Sequence, residues 1–132
     1  MKTIIYTDLA PKPIGPYNQA VFYKNAYEAT LYTSGQIAID PASEELKIDD
    51  LKEETHLVMK HLKSLLDQVD MTFEHVLKTS IFLSDMNNFA TVNEVYGSYF
   101  NEATAPARET VEVANLPKYV NVEISLIAKT DI

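Results

Sequence analysis

Residues 51–83 read LKEETHLVMKHLKSLLDQVDMTFEHVLKTSIFL, and the spacing of their apolar side chains changes part-way through. Leu51, Thr55, Val58, Leu62, Leu65 and Val69 recur every three or four positions, the stripe of an amphipathic helix. Asp50 stands where an N-cap belongs, and Glu53 is placed to complete a capping box. From residue 76 to 83 the run becomes β-branched and aromatic, which predicts a strand. Downstream, Phe89, Val92, Tyr96 and Phe100 mark a second helix that starts near Asn87, and residues 108–113 and 120–128 are strand-like on either side of Leu116-Pro117. Upstream, residues 4–6 form an edge strand, followed by a loop because Pro11, Pro13 and Pro16 can continue neither a ladder nor a helix. Residues 18–23 and 30–39 carry strand-type side chains, with residues 24–29 as a polar hairpin connection that lacks the usual Asn-Gly turn. The order β, β, β, α, β, α, β, β predicts an α+β fold in one domain over residues 1–132, with a mixed sheet and both helices on one face.

The charge balance narrows the partners. Eleven Lys+Arg stand against 19 Asp+Glu, a formal net charge of −8, whereas a nucleic-acid surface needs clustered cations. With 46% hydrophobic residues the chain can fill a core. No cysteine is present, which removes disulfides, zinc thiolates and a nucleophilic thiol together. No apolar run approaches the roughly 20 residues that cross a bilayer, so the expectation is a soluble cytoplasmic protein with no membrane partner. A sheet with helices on one side still has a second face, and Val111, Val113, Val120, Val122 and Ile124 exceed what one covered face uses. That surplus predicts packing against sister subunits, hence a homo-oligomer.

Most familiar chemistries find no support. His56, His61 and His75 lack the spacing of a zinc helix and are expected to be solvated or capping, so no metal is implied. Gly15, Gly35 and Gly97 are the only three glycines and are too scattered for a phosphate loop. Ser34 precedes Gly35 without the surrounding nucleophile elbow. The informative feature is Pro106-Ala107-Arg108 opening a strand, together with Glu123 inside the apolar run 120–127. A carboxylate in such a strand needs a partner or a task. Two readings stand: a structural Arg108–Glu123 ion pair, or a carboxylate-binding arginine beside a general acid/base.

Several separated blocks then point the same way. They are Ile14-Gly15-Pro16-Tyr17 with Gln19-Ala20-Val21, Ser34-Gly35-Gln36-Ile37 with Asp40-Pro41, and Val76, Lys78-Thr79, Phe82-Leu83 and Asp85-Met86. They continue through Phe89-Ala90-Thr91-Val92-Asn93-Glu94-Val95-Tyr96, Pro106-Ala107-Arg108, Val111-Glu112-Val113-Ala114, Leu116-Pro117-Lys118 and Val122-Glu123-Ile124. Over nearly its whole length the chain resembles the RidA (YjgF) enamine/imine deaminases. The resemblance implies a chorismate-mutase-like homotrimer of subunits with six strands and two helices, and clefts between the subunits. It also implies hydrolysis of 2-aminoacrylate and 2-aminocrotonate, so the partners would be small 2-imino and 2-oxo acids and the chain itself. On that resemblance Arg108 binds the substrate carboxylate and Glu123 holds and activates water. Tyr17, Ser34, Gly35 and Asn93 occupy the remaining pocket positions, with Thr110 two residues past the arginine. No cofactor is required, because an imine carbon is already electrophilic and needs only a fixed carboxylate, a held water and a proton for departing ammonia.

Departures from the pattern bear on this reading. Residues 22–33 are several residues longer than in the typical member, Asp70 replaces a common Gly, and Glu109 replaces the usual Ser or Thr after the arginine. Glu109 is the one close enough to disturb an anion, but strand alternation should turn it away from Arg108, toward the face of Val111 and Val113. Two other functions compete: a ligand-sensing or regulatory trimer that uses the same cleft without turnover, and a ribonuclease. The ribonuclease needs a basic groove and a histidine pair, and the sequence offers neither.

Overall fold

The computed structural model describes residues 1–132 and contains the predicted elements in the predicted order. They are β1 Lys2–Ile5, β2 Ala20–Lys24, β3 Glu28–Thr33, α1 Leu51–Asp67, β4 Val76–Leu83, α2 Phe89–Gly97, β5 Ala107–Glu112 and β6 Val122–Asp131. All six strands join one sheet in the order β1-β2-β3-β6-β4-β5. Only β4 and β5 run parallel, joined by the α2 crossover; the other neighbours are antiparallel.

Local chemistry sets most boundaries. The Asp50 carboxylate accepts from the backbone N–H groups of Lys52 and Glu53 and starts α1, without the reciprocal bond expected from Glu53. Asp70 lies past the end of α1 at φ 58°, a left-handed conformation that Asp tolerates better than most residues. The start expected near Asn87 is a 3-10 turn, Met86–Asn88, capped by Asp85, and α2 proper begins at Phe89. The hairpin connection is shorter than residues 24–29. Asn25 replaces the Asn-Gly turn by accepting on Oδ1 from the N–H groups of Tyr27 and Glu28, at 2.8 and 3.0 Å.

The strand expected over 30–39 ends at Thr33. Tyr32 pairs with Ile127, but the next pairing, Gln36 with Ile124, uses one more residue on this side than on β6. The extra residue makes a bulge at Ser34-Gly35 and breaks the side-chain alternation of the strand there.

Side chains of one sheet face, among them Leu31, Ile81, Leu83, Val122, Ile124 and Leu126, pack under Val58, Leu62, Leu65 and Leu66 of α1 and Val92 and Tyr96 of α2. Ile37, Ile39, Leu116 and Val120 form a second, smaller cluster, with Val113 packed against it. Of the five residues expected to crowd the other face, Val122 and Ile124 therefore belong to the helix-covered core instead, Val113 and Val120 pack with Phe82 in the smaller cluster, and Val111 lies on the expected face. That face is apolar through different residues: Ile4, Val21, Tyr32 and Ile127 align across β1, β2, β3 and β6, and Ile4 and Tyr32 are about half exposed.

His61 corrects another expectation, since it is neither solvated nor a cap. It is buried on α1 with Nε2 2.9 Å from the Ile39 carbonyl. His75 does cap, closing a box with Thr72, and His56 bonds the Tyr99 hydroxyl. Burial pushes the His61 pKa below its ordinary value, against weaker opposition from the Ile39 and Leu9 carbonyls. The unfolded chain then binds more protons than the folded one, so stability falls as pH drops below about 6.5. Replacing His61 by Asn keeps a donor near Ile39 and removes this titration. Urea denaturation at pH 7.5 and 5.5 should show the wild type losing more stability on acidification than His61→Asn; equal losses would refute the assignment.

Candidate active site

Strand β4 serves as a ruler for the two residues of interest. Arg108 on β5 pairs in register with Thr79, whose hydroxyl meets the Tyr96 hydroxyl of α2 at 2.7 Å on the helix-covered face. Arg108 therefore projects toward α2. Its guanidinium lies 5.7 Å from the Phe89 ring centroid and 5.1 Å from that of Tyr96, and Nη1 donates to Asn93 Oδ1 at 2.8 Å. Phe89, Asn93 and Tyr96 follow each other at intervals of four and three along one face of α2. Thr110 is the next residue of β5 on that face, and its hydroxyl is buried with no hydrogen-bond partner. Arg108, the only arginine of the chain, has no carboxylate within ion-pair distance.

Glu123 pairs with Phe82 on the opposite face of the sheet. The Gln36–Ile124 bridge brings Gly35 against it so closely that a Cβ on Gly35 would lie 2.7 Å from the Glu123 carboxyl. Close approach, not backbone angle, favours glycine there, since any side chain would displace the Glu123 carboxyl. Ile14, Tyr17, Ser34, Gly35, Ile37, Pro117 and Glu123 line one cleft of about 370 Å³. Ser34 Oγ donates to the Asn18 carbonyl at 2.5 Å, and the Tyr17 hydroxyl accepts from the Ile14 N–H at 3.3 Å. Both side chains thus shape the loop as well as face the cleft. The far wall is the turn Pro117–Tyr119, where Lys118 and Tyr119 both sit in the left-handed region at φ 54° and 57°. That conformation costs roughly 1–2 kcal/mol per residue. Burial pushes the Glu123 carboxyl above the usual carboxylate range, and no side chain of its own chain offers it a hydrogen bond.

The seven expected site residues thus fall into two groups, Arg108, Asn93 and Thr110 on one face, and Glu123, Tyr17, Ser34 and Gly35 on the other. Arg108 and Glu123 stand three register positions apart along β4, about 10 Å in the strand direction. An ion pair between them within one chain is therefore excluded. Phe89 and Tyr96 were missed as supports of Arg108; their signal was the shared helix face with Asn93. No three His, Asp or Glu side chains gather to hold a metal ion.

The family model described as Endoribonuclease L-PSP matches residues 7–130. The chain belongs to the RidA (YjgF) family. A RutC family protein of Pyrococcus horikoshii is 45% identical over 128 residues, covering 97% of this chain and 98% of that one. The mouse protein named 2-iminobutanoate/2-iminopropanoate deaminase is 41% identical over 128 residues, covering 97% and 91%. The crystal structure of RidA from an Antarctic Psychrobacter superposes with a TM-score of 0.88 at 36% identity, covering 97% and 99%.

In this RidA-family chain Glu109 faces away from Arg108, as strand alternation predicts. It bonds Lys78 Nζ at 2.8 Å and the Ser80 hydroxyl, which hold its carboxyl below the usual range. Replacing Glu109 by Ser should change the affinity for a small carboxylate such as 2-oxobutanoate by less than about fivefold, near 1 kcal/mol. Titration calorimetry checks this, and a gain of about 100-fold would show that Glu109 repels the anion after all.

Proposed function

We propose that this protein is an enamine/imine deaminase that hydrolyses 2-iminopropanoate and 2-iminobutanoate, the imine tautomers of 2-aminoacrylate and 2-aminocrotonate, to 2-oxo acids and ammonia. The observation that carries the reading is Arg108: a lone arginine, gripped by two rings and an amide and neutralised by no carboxylate, in a chain of net charge −8. Its free N–H groups suit a bidentate fork on a carboxylate. The name of the mouse relative points to the same substrates.

The opposed faces of the sheet favour a site completed by assembly. Arg108, Asn93 and Thr110 of one subunit meet Glu123, Tyr17, Ser34 and Gly35 of the next, and the apolar second face supplies the contact in a homotrimer. In the joined cleft Arg108 fixes the substrate carboxylate, leaving the imine carbon before a water held by Glu123. Glu123 takes one proton from that water as its oxygen bonds to the carbon and the C=N electron pair moves to nitrogen. The same proton then passes to nitrogen to give a carbinolamine; Glu123 next takes the remaining hydroxyl proton and delivers it to that nitrogen as the C–N bond breaks, so ammonia leaves and the carbonyl forms. A carboxyl with raised proton affinity serves both as acceptor and as donor in this sequence. Nuclease chemistry is disfavoured, because one arginine facing an acidic residue does not make a phosphate-binding groove.

Mixing two inactive variants tests the composite site. Arg108→Ala and Glu123→Gln should each lower kcat/KM for 2-aminocrotonate by at least about 100-fold. Refolded together in equal amounts they should recover about a quarter of wild-type activity, the fraction of interfaces that join an intact Arg108 to an intact Glu123 in a randomly mixed trimer. No recovery, or a monomer by light scattering, would refute the shared site. A wild type that binds 2-oxobutanoate without turnover would be a sensor instead.

Gly35→Ala probes the water-holding half. The added Cβ meets only the movable end of Glu123, so the protein should melt within a few degrees of wild type while kcat falls about tenfold or more. Unchanged kcat would separate Glu123 placement from catalysis.

A further inference from the structure

Glu54 lies on α1, beneath the sheet face opposite to Glu123, and is completely buried. No lysine or arginine pairs with it. Both of its carboxylate oxygens accept from a single residue, Asn121: the backbone N–H at 2.8 Å and Nδ2 at 2.7 Å. The Asn121 carbonyl in turn accepts from the Ser84 N–H at 3.1 Å, at the end of β4. Asn121 is thus fixed on three sides. It joins the strained Pro117–Tyr119 turn, whose proline walls the cleft, to β6, where Glu123 is the second residue.

Burying a carboxylate without a cation is costly, and simple packing would be better served by an apolar side chain. What the carboxylate provides is two charge-assisted bonds at the point where a turn with two left-handed residues must enter a strand. We propose that Glu54 is a positioning residue for Glu123: by clamping Asn121 through the sheet, it fixes both the Pro117 wall and the backbone from which Glu123 projects. Burial pushes the Glu54 carboxyl up, while the Asn121 side chain and the Asn121 and Val122 N–H groups draw it back. Both oxygens accepting is the pattern of the ionised form. Glutamine can replace it if the Asn121 amide turns over, since Gln Oε1 would accept from the Asn121 N–H and Gln Nε2 would donate to Asn121 Oδ1.

The inference rests on the deaminase reading for its kinetic readout only; a second measurement is independent of activity. Asn121→Ala keeps the backbone bond to Glu54 and loses the side-chain one. This variant should lower kcat for 2-aminocrotonate about tenfold, with the affinity for 2-oxobutanoate, which depends on Arg108, unchanged within about twofold. Glu54→Gln should stay within about threefold of wild type in kcat. In protein carrying 13C-labelled glutamate, the Glu123 carboxyl signal should shift in Asn121→Ala, and its proton affinity should change by about threefold or more, half a pKa unit. Glu54→Gln should leave both near the wild-type values. A folded Asn121→Ala protein with an unmoved Glu123 signal would overturn the proposal, and so would parallel losses of kcat and ligand affinity. If the wild type shows no turnover, the deaminase reading fails and the Glu123 signal alone decides the clamp.

Discussion

Successive side chains of a strand leave the sheet on opposite sides, and in this chain that alternation governs the chemistry. It assigns Arg108 to the helix-covered face and Glu123 to the bare one, with the β4 register separating them further. No rotamer change brings the two to one small substrate. On the proposed function the sheet is a partition with half of the site on each side, and a second copy completes it. The same alternation spares Arg108 from Glu109, its immediate neighbour, which is held on the far side by Lys78 and Ser80.

Each half is supported by a different physical device. Arg108 is oriented by aromatic faces and an amide, contacts that fix a guanidinium without consuming its charge. Glu123 is placed by its backbone and crowded by Gly35, with no hydrogen bond from its own chain. Burial raises its proton affinity, which suits the proton transfers proposed for it.

The amphipathic stripe of α1, the proline-interrupted loop after β1 and the Pro-Ala-Arg opening of β5 were readable because each is written in a few adjacent residues. Arg108 stood out as the cation of that opening, and Glu123 as a charged side chain among β-branched neighbours. What distributed them over two faces was pairing register, which no local pattern encodes. The bulge at Ser34-Gly35 escaped notice because residues 30–39 have strand composition throughout, and only the offset against β6 displaces them. His61 and Glu54 were hidden by the opposite effect. Polar residues on a helix read as solvated, and their burial depends on carbonyl and amide partners from loops distant in sequence.

The position of β6 has a bearing on how the molecule forms during synthesis. This strand follows every other element in the chain yet lies between β3 and β4, pairing with both. Without it, the native pairings leave β1-β2-β3 and β4-β5 unconnected, each with an unpaired inner edge. Those edges are open to pairing with other chains, and the hydrophobic core cannot close because Val122, Ile124 and Leu126 belong to the missing strand. The strand that carries Glu123 is thus also the one that joins two incomplete sheets into a single unit, so loss of its sequence would cost the fold itself.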